Sequence, residues 1–306
     1  MATGIVAAAL RDAGLASLSW VLAALGAVAW LALAAVLIPG SAWRPNSARL
    51  ALERFAFVAA TNVLASLARS TAIAVCLLLM ATAAWCALLP EAIWAQWGPA
   101  GRRARREARG SWLLAVVATE SLAVTAAEVG RRIDSSATVV LAATWWVLGL
   151  AVYALVLFVL IARLLRNPLR DDDLAGDHWI VMGALAISAL AGSRVYAALT
   201  ERRVDHWLLP IVHAGTLACW VVALCWLPLL AIAECRGGPG RTHYRVARWS
   251  TVFPLGMLAA ASHALAGTFA FEPGRWLFDA LVWIAAGVWL AVSFGFVRLV
   301  SQRARR

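Results

Sequence analysis

Ala60-Thr61-Asn62-Val63-Leu64-Ala65 and Ala118-Thr119-Glu120-Ser121-Leu122-Ala123 lie 58 residues apart, and Ala2-Thr3-Gly4-Ile5-Val6-Ala7 lies 58 residues before the first of them. Each opens on an alanine–threonine pair inside an apolar run, and each run ends at arginine: Arg69, Arg131 and Arg11 respectively. A longer, greasier run follows every time. A motif recurring at this period marks a repeated supersecondary unit, here a pair of apolar segments. The fold then depends on how many pairs there are and what solvent they face.

The solvent follows from composition. Hydrophobic residues make up 63% of the 306-residue chain, charged residues 14%, and mean hydropathy is +0.80. A soluble domain carries roughly 45–50% apolar and about 25% charged residues. Too little polar surface exists to face water all round, so lipid is the solvent for much of the chain. The expectation is an all-α integral membrane protein forming one transmembrane domain over 1–306. The first apolar run has no basic segment before it, so it reads as part of the fold and not as a cleaved leader. Cys76, Cys86, Cys219, Cys225 and Cys235 lack metal-ligand spacing and read as small buried residues. No metal or cofactor is implied.

Five long, tryptophan-rich segments at about 16–38, 71–93, 138–161, 208–233 and 276–300 alternate with shorter or more polar ones at about 1–10, 55–68, 112–128, 179–199 and 250–270. The long ones meet the ~20 residues needed to cross hydrocarbon. The alternation predicts ten transmembrane helices as five helical hairpins. All 27 basic residues are arginine; nineteen fall between hairpins or in the C-terminal tail, seven in turns within hairpins, and Arg194 within a helix. By the positive-inside rule the nineteen-arginine face and both termini are cytoplasmic. The net charge of +11 therefore reads as topology rather than nucleic-acid binding.

On the alanine–threonine slot, Thr3, Thr61 and Thr119 align directly, and Gly183 and Gly256 fit more loosely in the fourth and fifth copies. Small residues dominate these five helices, which suits close helix packing in lipid and equally suits a ring about a central pore. Three residues before the slot stand Val58, Val116, Ile180 and Phe253, with Pro254 next to the one aromatic. Pro254 kinks its helix. Phe253 is then either a pore plug or ordinary packing.

The stretches Met1-Ala2-Thr3-Gly4-Ile5-Val6, Phe55-Ala56-Phe57-Val58-Ala59-Ala60-Thr61-Asn62 and Trp249-Ser250-Thr251-Val252-Phe253-Pro254-Leu255-Gly256-Met257 resemble the tellurite-resistance/dicarboxylate transporter family, which includes the plant slow anion channels. The resemblance implies ten helices, an inner ring of odd-numbered helices around a pore, a homotrimer with one pore per subunit, and Phe253 as the gate. It implies small anions as substrates: chloride, nitrate, malate and other C4-dicarboxylates, sulfite or tellurite-related oxyanions. It places the protein in the inner (plasma) membrane. Relatives carry a few residues ahead of the first motif, so the first helix is expected to be truncated here. With termini this short, kinase gating through regulatory phosphosites like those of the plant channels is not expected.

For an anion path the expected lining is Thr3, Thr61, Asn62, Thr119, Ser188 and Ser250 for hydroxyls and amide, Val58, Val116 and Ile180 for aliphatic walls, with Gly183 and Gly256. Arg102, Arg103, Arg105 and Arg106 either concentrate anions at the inner mouth or only fix topology. Glu120 is mid-helix and is protonated, paired or a proton-coupling site; coupling would make the protein a dicarboxylate or sulfite exporter. Glu128 sits near Arg131 and Arg132. Arg194 either snorkels outward or attracts anions at the outer mouth. Asp171-Asp172-Asp173 beside Arg170 reads as a solvated loop, with Asp177 as a helix cap. An enzyme is not expected: Ser262 and His263 are adjacent and point ~100° apart on a helix, unable to pair as nucleophile and base. A membrane haem protein using His213 and His263 is the remote alternative, decided by a visible absorption spectrum.

Overall fold

A computed structural model describes residues 1–37, 48–99, 101–106, 108–166, 178–202, 207–236, 244 and 246–304. Arg44, Arg170 to Asp173, Asp177, Arg203, Arg241, Arg245, Arg305 and Arg306 lie outside the described residues, as do the side chains of Arg49, Arg102, Arg103, Cys235 and Arg303.

The described residues form helices and no strand, as lipid requires when every backbone N–H and C=O must be satisfied within its own segment. Five hairpins follow one another: α1 (Ala2–Asp12) with α2 (Ala16–Leu37), α4 (Phe55–Leu67) with α5 (Thr71–Trp97), α7 (Leu114–Arg132) with α8 (Ser136–Arg166), α9 (Trp179–Glu201) with α10 (Leu208–Arg236), and α11 (Trp249–Phe269) with α12 (Glu272–Ala304). Two short helices, α3 (Ala48–Glu53) and α6 (Gly101–Arg106), lie in the connections between hairpins. Eight of the described helices are long and apolar enough to cross a bilayer; α1 and α4, at 11 and 13 residues, are the short pair. Among the described residues, the turns inside hairpins are tight. Gly14 turns the first at φ +80°, and Asp134 and Ala270 take left-handed conformations in the third and fifth.

The layers sort by burial. The spans containing α7, α9 and α11 are 94%, 83% and 72% buried, against 17–28% for those of α2, α5, α8, α10 and α12. The odd members therefore form an inner layer and the even members a lipid-facing sleeve. The inner layer closes on itself, because α1 packs on α4, α4 on α7, α7 on α9, α9 on α11, and α11 back on α1. Glycine permits two of these contacts. A Cβ on Gly4 would stand 2.6 Å from Val63 Cγ1 on α4, and one on Gly183 2.9 Å from Pro254 Cγ on α11.

At the hairpin-turn end, arginines cap carbonyls of neighbouring helices. Arg11 donates to the Ser66 carbonyl at 3.0 Å, Arg132 to that of Ala68 at 2.9 Å, and Arg202 to that of Gly130 at 3.3 Å. Helix C-termini present such unsatisfied carbonyls and favour cations. These arginines thus bind ring members together.

Candidate functional site: the axis of the inner ring

The orientation of each inner helix is fixed by a tryptophan on the outer helix of the preceding hairpin. Trp30 Nε1 on α2 donates to Thr61 Oγ1 on α4 at 2.9 Å, and Trp85 on α5 to Thr119 on α7 at 2.9 Å. Trp146 on α8 donates to the Ser188 carbonyl on α9 at 3.0 Å, and Trp220 on α10 to Ser262 Oγ on α11 at 3.0 Å. Trp289 on α12 then donates to Thr3 on α1 at 3.1 Å, which completes the circuit. Each hydroxyl also has a local role: Thr61, Thr119 and Ser262 donate to the carbonyl four residues back.

Thr3, Thr61 and Thr119, expected near the axis, are each bonded to a tryptophan of the sleeve. In the fifth copy the hydroxyl that takes this bond is Ser262; Gly256, expected in the threonine slot, lies against α1, where an added Cβ would stand 3.0 Å from Ile5 Cγ2. In the fourth copy the indole meets Ser188, and Gly183 packs on Pro254. The leucine–alanine pair that follows the slot carried the correct register: Leu64-Ala65, Leu122-Ala123 and Leu265-Ala266 stand at the same offset from Thr61, Thr119 and Ser262.

Inner helices are also joined to each other by buried polar contacts. Asn62 Nδ2 donates to Ser121 Oγ on α7 at 3.0 Å, leaving Asn62 Oδ1 buried without a partner. Ser188 Oγ on α9 donates to Glu120 Oε1 on α7 at 2.9 Å, while Glu120 Oε2 is buried and unpartnered. The Glu120 carboxyl rests on Gly149 of α8, where a side chain would collide with it. Asn62, Glu120 and Ser188 thus bond across seams between helices.

The axial face lies opposite the tryptophan bonds. Nine residues are ~2.5 turns at 3.6 residues per turn, so Phe253, nine before Ser262, and Glu128, nine after Thr119, stand on the far side from those hydroxyls. Two residues before the slot, ~160° round the helix, come Ala59, Val117 and Ala260. Val58 and Val116 are fully buried but only ~60° from the outward threonines; their neighbours Ala59 and Val117 take the axial direction. On α9 the stripe runs through Ile180, Ile187 and Arg194 at intervals of two turns. Phe253 is 2% exposed, one of the largest enclosed side chains. Ser250, in the first turn of α11, is half-buried.

Toward the hairpin-turn end the axial face opens into a vestibule between α7, α9 and α11, a cavity of about 440 Å³ bordered by Arg131, Arg194, Glu201, His263 and Gly267. Arg131 holds Glu201 through two N–H groups, and Arg194 Nε stands 3.5 Å from Glu128 Oε1. At the opposite end Arg105 donates to the Gln96 carbonyl and stands over Trp97, and Arg106 is exposed. His213 makes tilted ring contacts with Tyr196 and Phe269, which also touch each other, whereas His263 lies tilted against Phe278.

Comparison with known proteins agrees with this architecture. The profile of a family described as voltage-dependent anion channel matches residues 1–297. The chain is similar to two proteins named uncharacterized membrane protein Rv1735c and MT1776, from Mycobacterium tuberculosis strains H37Rv and CDC 1551; each is 30% identical over 156 residues, 50% of this chain and 77% of the relative. A multi-pass helical protein whose profile match runs through all five hairpins, the chain belongs to the voltage-dependent anion channel family.

Proposed function

We propose that the protein passes small anions along the axis of the inner ring and that Phe253 is the gate. The observation that carries this reading is the position of Phe253: enclosed, on the face of α11 opposite the Ser262–Trp220 bond, on a stripe that continues through Ala260 and Ala264 to the vestibule. An apolar ring at the narrow level blocks an ion by offering nothing in place of its hydration shell. Phe253 is followed in its continuous helix by Pro254, which removes one backbone hydrogen bond. The aliphatic walls of Ala59, Val117 and Ile187 complement a weakly held ion better than a fixed charge would. The substrates in this reading are C4-dicarboxylates such as malate, chloride, nitrate, sulfite or tellurite-related oxyanions. The site is the inner membrane, both termini are cytoplasmic, the hairpin-turn end is outside, and the subunit assembles as a homotrimer with one pore each. Transport, not catalysis, is the role.

Anion flux into liposomes bearing wild type or Phe253→Ala tests it. Faster flux in the alanine variant is the expected result; equal flux removes Phe253 as gate. A second reading, a proton-coupled exporter, is favoured by one observation: Glu120 is enclosed with a single donor, Ser188, and an unpartnered oxygen. A carboxylate so placed is costly in lipid surroundings unless a proton neutralises it. Flux that appears only under a proton gradient, and disappears in Glu120→Gln, would select that reading.

A further inference from the structure

Two arginines border the vestibule, and they are not equivalent. Arg131 is spent on Glu201, with Nε and a terminal nitrogen both donating to that carboxylate. Arg194 has only a loose approach to Glu128, Nε to Oε1 at 3.5 Å, and its Nε has no hydrogen-bond acceptor. Arg194 lines the cavity with its side chain 26% exposed, and its partner Glu128 is 16% exposed. A guanidinium presents five N–H donors in a planar fork that matches a carboxylate with two parallel bonds. Here that fork is charged, oriented on the axial stripe of α9, and unfilled by the protein's own acceptors.

The cavity is shaped for more than a halide. Its volume of about 440 Å³ lies within the range of small-molecule sites. Thr200, Thr268 and the His263 ring also line it, so polar groups on α9 and α11 stand away from the arginine for a second end of a ligand. Glu128 is the natural competitor: it is the carboxylate nearest the Arg194 Nε and leaves it unsaturated, so an incoming carboxylate would compete with it.

Resting on the anion-path reading, we propose that the vestibule is a binding site for small carboxylates, dicarboxylates above all, with Arg194 as the group that grips one carboxylate and Glu128 as the internal anion it displaces. The site sets which anions enter: planar oxyanions that accept two bonds are selected over spherical halides, which a point charge serves equally well.

Succinate and chloride binding to the full chain in nanodiscs, measured by calorimetry, tests this beside liposome flux of the same anions. Arg194→Gln is expected to weaken succinate binding about tenfold or more, the scale of a lost charge-assisted pair. Arg194→Lys, which also serves if the glutamine variant does not fold, keeps the charge and loses the fork; it should weaken succinate and leave chloride nearly unchanged. Glu128→Gln should tighten succinate. Unchanged succinate affinity in Arg194→Gln, equal losses for both anions in Arg194→Lys, or weaker binding in Glu128→Gln would each overturn the inference. Flux separates it from the reading beneath it. Normal anion flux with Arg194-independent binding removes the site and keeps the pore. Arg194-dependent binding in a protein that passes no anion, even as Phe253→Ala, removes the pore and keeps the site.

Discussion

On the outward face of α7, Thr119 is clasped by Trp85 from the neighbouring hairpin; nine residues on, on the axial face of the same helix, Glu128 meets Arg194 loosely at the rim of an open vestibule. The other inner helices repeat the contrast. α11 turns Ser262 outward to Trp220 and Phe253 inward, and α1 turns Thr3 outward to Trp289. One face is filled with matched donors and acceptors, and the other is small, aliphatic or incompletely paired. The hydroxyls that look most like an anion path belong to the scaffold. On the proposed path the residues have little to offer an ion, which favours passage over capture.

If the two faces divide the work in this way, variants on them should fail differently. The largest effect is expected from Phe253→Ala: anion flux should rise by about tenfold or more, corresponding to ~1.4 kcal/mol off the barrier; because the ring is enclosed, its truncation also lowers the unfolding temperature. A flux gain of the same size from Thr119→Val would break the comparison. Next come the ring seams. Gly4→Val and Gly183→Val should each cost about 1–3 kcal/mol by overpacking against Val63 and Pro254, read as lower unfolding temperature in detergent. Smaller still is the loss of one indole bond: Trp289→Phe or Thr3→Val should cost about 1 kcal/mol or somewhat less. The double variant should lose no more than either alone, since both remove one interaction. Trp94→Phe, on a 71% exposed residue of the sleeve, should change neither stability nor flux.

The hairpin count was legible because hydropathy and arginine spacing act over whole segments. Helix ends were less so: α5 continues to Trp97 and α8 to Arg166, past the apolar runs, because backbone hydrogen bonding does not stop where lipid does. α3 and α6, six residues each, are too short to show a period. The facing of each inner helix was not legible. Thr61 points outward because Trp30 stands 31 residues away in another hairpin, and Thr3 because Trp289 stands 286 away. A threonine on a polar stripe looks the same from sequence whether its partner is an indole or an ion. The repeat is legible as a repeat, but Gly183 and Gly256 fit its slot only by small size, whereas Ser262 and its trailing Leu265-Ala266 carry the chemical equivalence. Phe253 was singled out by its aromatic ring beside Pro254, and helical spacing from Ser262 supplies its direction.

The five indole bonds all run in one rotational sense, each outer helix leaning on the inner helix of the next unit, with Trp289 handing back to Thr3. Such an arrangement resembles the overlapping blades of a camera diaphragm. Widening the aperture moves every blade, so dilation strains five bonds together, at about 1 kcal/mol each, and tension applied to any one helix is shared around the circle. Swinging a single aromatic blade out of the light path strains none of them.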